Sequence, residues 1–85
     1  MKKKVILITG ASSGIGYNSA IYLANQGHKI YAAARRLNKM EELKKYGITP
    51  VYLDVTDENS INEALKIVLE KENRIDVLVN NAGYG

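Results

Sequence analysis

The chain has 85 residues, enough for one small domain, and its 46% hydrophobic and 25% charged residues exclude a disordered polymer. Twelve Lys and Arg against 9 Asp and Glu give a net charge of +3, but Lys2, Lys3 and Lys4 concentrate the excess at the start, with no basic or aromatic stripe downstream, so no nucleic-acid partner is expected. The lack of cysteine excludes disulfides and thiolate metal sites, and a single His28 makes no metal site alone.

The first apolar run, Val5 to Ile8, is too short for a signal-peptide core or a membrane span and reads as a buried strand. No membrane partner is expected, and the chain reads as soluble, cytoplasmic and mature from its first residue. Gly16, Ala20, Leu23, Ala24 and Gly27 then recur at helical spacing, with Asn18, Asn25 and Gln26 elsewhere on the wheel. Small residues on that face let the helix axis approach a sheet. Ile30 to Ala34 is the second strand. The second helix is predicted from a cap at Asn38, with Glu41 three residues on, to Gly47, and is expected to bury Leu37, Met40 and Leu43.

Val51 to Leu53 is the third strand, and Pro50 fits only its beginning. The third helix starts at Thr56 or Asp57 and places Ile61, Ala64, Leu65 and Val68 on one side, with a Lys66–Glu70 pair on the other. Val77 to Val79 is the fourth strand. One helix per crossover implies a parallel sheet with right-handed connections, and no repeat or interdomain linker interrupts it. His28 reads as a surface residue. None of the six tyrosines has a lysine four residues later, and packing with an exposed hydroxyl is their expected role.

Function is carried by Thr9-Gly10-Ala11-Ser12-Ser13-Gly14-Ile15-Gly16, between the first strand and the first helix. A glycine-rich turn that opens a helix points backbone N–H groups at an anion, and the helix dipole adds roughly half a positive charge there. Pyrophosphate suits such a turn best. Gly10 permits the sharp exit from the strand, Gly14 lets the backbone approach a ligand, and Gly16 lets helix and strand pack closely. Ser12 and Ser13 can donate to phosphate oxygens. No Gly-Lys-Ser/Thr follows, which excludes a nucleoside triphosphate P-loop.

This T-G-x-x-x-G-x-G spacing, with Leu53-Asp54-Val55 after the third strand and Asn80-Asn81-Ala82-Gly83 after the fourth, resembles the short-chain dehydrogenase/reductase family. The resemblance spans nearly the whole chain. It implies a Rossmann-type α/β fold with strand order 3-2-1-4, the first two helices on one face and the third on the other. Residues 1–85 would be the part of an NAD(P)-binding domain from the first to the fourth strand. The resemblance assigns cofactor binding to Gly10, Ser12, Ser13, Gly14, Ile15 and Gly16. It places Asp54 and Val55 at the adenine, and Asn80, Asn81, Ala82 and Gly83 beside the adenosine ribose. Capping of the following helix is the competing role for Asp54.

The second strand ends Ala32-Ala33-Ala34-Arg35-Arg36, with no carboxylate where NAD-selective members of this fold bind the ribose 2′-hydroxyl. A guanidinium makes charge-assisted bonds to a 2′-phosphate, so NADP(H) is expected over NAD(H), with Arg35 the main contact and Arg36 secondary.

Family members move hydride between the nicotinamide and a small carbonyl or alcohol substrate, using a serine and a Y-x-x-x-K pair that these 85 residues lack. No catalytic residue is therefore assigned, and the 85-residue chain alone is expected to be inactive, with a bare edge on its fourth strand. The intact protein is expected to be a homo-oligomeric NADP-dependent reductase. A non-catalytic nucleotide-binding or scaffold fragment is the alternative, and an epimerase or dehydratase relative a third. The longer-chain relatives of that third kind carry a differently spaced glycine motif.

Overall fold

A computed structural model describes residues 3–81. Four strands, β1 (Val5–Thr9), β2 (Lys29–Ala34), β3 (Thr49–Tyr52) and β4 (Val77–Asn80), form one sheet in the order β3-β2-β1-β4. Every pairing is parallel, with Ile6 opposite both Ile30 and Val77. The connections are α1 (Gly14–Asn25), a 3-10 helix (Leu37–Tyr46) and α2 (Glu58–Glu72). The expected Rossmann order is therefore present. Pro50 lies inside β3, where an edge position spares it the ladder bond it cannot donate.

Central strands of a parallel sheet are covered on both faces, which is why β1 is buried at all five positions and reads as an unbroken apolar run. Alternate residues feed two cores. Ile6, Ile8, Ile30 and Ala32 pack with Ala20 of α1 and with Met40 and Leu43 of the 3-10 helix. Leu7, Tyr31, Ala33 and Val51 pack with Ala64 and Val68 of α2. The first two helical segments thus share one face and α2 takes the other. Ile61 and Leu65 are only partly buried beside Ala64 and Val68. Leu78, on β4 opposite Leu7, is 58% exposed.

The second helix departs from expectation. It is wound as a 3-10 helix, its amino-terminal cap is Arg36, and no side chain caps it, so Asn38 lies inside it. The spacing is compatible with the winding. Leu37, Met40, Leu43 and Tyr46 recur every three residues, and at three residues per turn they align in one stripe. Met40 and Leu43 are fully buried, whereas Leu37, expected in the core, is 40% exposed. The ion pairs Glu41–Lys44 (3.3 Å) and Glu42–Lys45 (3.6 Å) have the same period. Gly47 closes the segment as expected. Asp57 caps α2 by accepting the Asn59 N–H at 3.0 Å, but Lys66 and Glu70 form no ion pair among the described residues.

Tyr31 also differs from the expected exposed hydroxyl. It is fully buried in β2 and its hydroxyl donates to Glu72 Oε2 at 2.6 Å, tying the centre of the sheet to the end of α2. Burial and the adjacent carboxylate push its pKa well above the usual phenol range. At the amino edge of the sheet, Asp76 accepts from Val5 N–H at 2.7 Å and from Arg74 Nε at 2.9 Å, so its carboxyl is held below the ordinary range, chiefly by Arg74. His28 Nδ1 accepts the Lys4 N–H there at 3.1 Å.

Candidate functional site

Parallel strands bring all their carboxyl ends to one edge, and a crevice opens there where the strand order reverses between β1 and β4. Its volume is about 840 Å³, within the range of small-molecule and cofactor sites. The turn after β1 contributes Gly10, Ser12, Ser13 and Ile15 to the wall, and the end of β2 contributes Ala34, Arg35 and Arg36. Leu53, Asp54, Val55 and Thr56 follow β3, and Asn80 and Asn81 close the far side. Ten residues singled out in the sequence therefore meet in one crevice. Of the others, Gly14 lines a smaller neighbouring cavity and Gly16 is buried beneath the turn. Ala82 and Gly83 lie outside the described residues, as does Tyr84.

The turn keeps its donors available. Ser13 is the cap of α1 but its side chain makes no capping bond, and no acidic residue occupies the first turn. The positive end of the helix dipole is thus left uncompensated by the chain. Gly14 sits at φ 61, a left-handed backbone that side chains disfavour. A Cβ on Gly16 would lie 2.5 Å from the Gly10 carbonyl oxygen and 2.8 Å from Asn81 Nδ2. Only glycine lets α1, the turn and the end of β4 approach so closely.

Thr9, the first letter of the motif, is buried and holds the far wall. Its hydroxyl donates to Asn80 Oδ1 at 2.8 Å and accepts the Asn81 N–H at 3.1 Å. One side chain on β1 therefore fixes the end of β4 across the crevice. Sequence reasoning gave Thr9 no role, although it opens the motif.

Asp54 does not cap α2, since Asp57 does. Its Oδ1 accepts from the Thr56 N–H at 2.9 Å and the Thr56 hydroxyl at 2.7 Å, forming a local turn. These bonds, led by the Thr56 hydroxyl, lower its pKa, and nearby Arg35 adds to the effect. The group is thus a carboxylate at neutral pH, and both of these bonds fall on Oδ1. Ser60, also missed in the sequence, donates to the Asp54 carbonyl at 2.8 Å and accepts its N–H at 2.9 Å. The segment after β3 is thereby pinned to the first turn of α2. Arg35 and Arg36 are exposed and form no ion pair among the described residues. Lys39 joins the same wall, and nothing in the motif pointed to it.

No helix among the described residues is long and apolar enough to cross a membrane, and they contain no cluster of His, Asp and Glu able to hold a metal ion. What the arrangement offers is a cationic, amide-rich crevice with one carboxylate at its β3 side.

Comparison with known proteins agrees with this architecture. The family model described as short chain dehydrogenase matches residues 4–85. A probable short-chain type dehydrogenase/reductase of Helicobacter pylori is 43% identical over 79 residues, covering 93% of this chain and 29% of that protein. L-Sorbose reductase from Gluconobacter frateurii, solved with NADPH and L-sorbose, is 34% identical with a TM-score of 0.88, over 100% of this chain and 35% of that one. A 3-ketoacyl-(acyl-carrier-protein) reductase from Brucella melitensis, solved with NADH, is 35% identical with a TM-score of 0.90, over 96% of this chain and 35% of that one. The chain spans about a third of the length of these relatives. From the motif at the first turn, the strand order and this match, the chain belongs to the short-chain dehydrogenase/reductase family.

Proposed function

We propose that the crevice binds NADP(H), and that the intact protein transfers hydride between this cofactor and a carbonyl or alcohol substrate. The observation that carries the reading is the position of Gly10 to Gly16, at the carboxyl edge of a parallel sheet with an uncapped helix behind it. The diphosphate takes the amides of this turn with Ser12 and Ser13. The adenine lies against Val55 and gives its exocyclic amine to Asp54, which the Thr56 bonds keep ionised and oriented. Asn80 and Asn81, held by Thr9, border the adenosine ribose. The nicotinamide supplies the hydride when the cofactor is bound.

The related structures include one with NADPH and one with NADH, so relatedness alone does not select the cofactor. The local charge supports NADP(H). Arg35 and Arg36 stand at the end of β2 with no carboxylate between them and Ala34. A phosphate on the ribose finds two guanidinium groups there, and bonds to charged groups are worth about 1.5–3 kcal/mol. Arg35→Ala in the intact protein should therefore reduce the NADPH/NADH affinity ratio by roughly tenfold to a hundredfold. Titration of both cofactors measures it, and an unchanged ratio removes Arg35 from the assignment.

A further inference from the structure

At the β3 side of the crevice the chain leaves the sheet. Leu53 N–H still bonds to the Ala34 carbonyl, at 3.0 Å, and beyond it the backbone groups of Asp54 need partners outside the ladder. Both find Ser60, in the first turn of α2. Its hydroxyl accepts the Asp54 N–H at 2.9 Å and donates to the Asp54 carbonyl at 2.8 Å, with the Asp57 carbonyl equally near. Asp57 N–H also reaches the Asp54 carbonyl, at 2.9 Å. Ser60 is only 7% exposed, so water does not replace a bond lost there.

Asp54 is held at its other end by Thr56, whose N–H and hydroxyl both bond to Oδ1. With the backbone fixed by Ser60 and the side chain by Thr56, little rotation is left to the carboxylate. Asp54 and Thr56 line the crevice, whereas Ser60 does not. An acceptor held at one point takes an amine and opposes a carbonyl oxygen, and it discriminates less once it is free to move aside.

We propose that Ser60 is a positioning residue for base selection: by pinning the Asp54 backbone to α2, it sets the preference for a 6-aminopurine over a 6-oxopurine. It acts only through Asp54. The inference rests on the NADP(H) reading, in which Asp54 takes the exocyclic amine of adenine, and adds to it a buried residue outside the crevice.

The hypoxanthine analogue of NADPH carries a carbonyl oxygen in place of that amine, so the affinity ratio of the two dinucleotides isolates the contact. In the intact protein, calorimetric titration should show NADPH favoured by roughly tenfold or more, and Ser60→Ala should lower this ratio by roughly threefold to tenfold. Ser60→Cys, a weaker donor and acceptor of similar volume, should fall between the two, and it serves if the alanine variant does not fold. In an Asp54→Ala background, Ser60→Ala should leave the ratio unchanged. So should Tyr31→Phe, which frees the far end of α2 from the sheet.

A ratio unmoved by either Ser60 variant overturns the proposal and leaves the NADP(H) reading standing. An equal loss for both dinucleotides, or a Tyr31→Phe variant that lowers the ratio as far, also overturns it, because Ser60 would then support the fold alone. No preference for adenine in the unsubstituted protein removes the Asp54 contact and the role of Ser60 with it, and failure to bind NADPH at all removes the NADP(H) reading itself.

Discussion

Gly16→Ala should abolish tight dinucleotide binding, with an affinity loss on the order of a hundredfold. The added Cβ would stand 2.5 Å from the Gly10 carbonyl oxygen and 2.8 Å from Asn81 Nδ2. Asn81 can rotate away, but the Gly10 carbonyl is backbone and moves only if the turn opens. Overpacking of this kind costs about 1–3 kcal/mol of stability. The larger effect is on function, because the displaced segment is the one proposed to hold the diphosphate. Titration of the intact variant with NADPH, alongside a melting curve, separates the two effects. Unchanged affinity would mean that the contact between α1 and the turn does not set the site.

Leu7→Ala should give the largest loss of stability, about 2–5 kcal/mol. Leu7 is fully buried in the middle of β1 and belongs to the core beneath α2, among Tyr31, Ala33, Ala64 and Val68. A backbone ladder runs on each side of it, to β2 and to β4, so the sheet cannot collapse into the space left behind. Against total stabilities of about 5–15 kcal/mol, the loss would be readily seen in denaturant titration of the intact protein. Leu78→Ala, on the neighbouring strand in the same register but 58% exposed, should cost much less. Equal costs at the two positions would contradict the assignment of the core to the centre of the sheet.

The parts of the fold legible in the sequence were those in which one residue pattern permits one structure. Short β-rich runs such as Val5 to Ile8, separated by single helical segments, leave little but a parallel sheet, and the motif at Gly10 to Gly16 placed the crevice at its carboxyl edge. The winding of the second helix was not legible. Met40 and Leu43, three apart, fit an α-helix as well as a 3-10 helix, and Asn38 with Glu41 imitated a capping box. Only the continuation through Leu37 and Tyr46 distinguishes the two periods.

Contacts made across long stretches of chain were hidden for a different reason. Tyr31 and Glu72 are 41 residues apart, and their hydrogen bond follows from the packing of α2 on β2. Thr9 lies 71 residues from Asn80, and its role appears only once β1 and β4 are neighbours. For Asp54 the sequence left helix capping open beside the adenine role, and the structure gives the cap to Asp57. The Asp54 carboxylate instead closes a turn with Thr56, two residues on.

The most direct measurement is of the backbone amides from Ser12 to Gly16 by NMR in the intact protein, titrated with NADPH and separately with adenosine, which lacks the diphosphate. NADPH should shift these amides strongly and adenosine should leave them nearly unmoved while perturbing Asp54 and Val55. NADPH binding that leaves the amides of Gly14, Ile15 and Gly16 where they were would contradict the account.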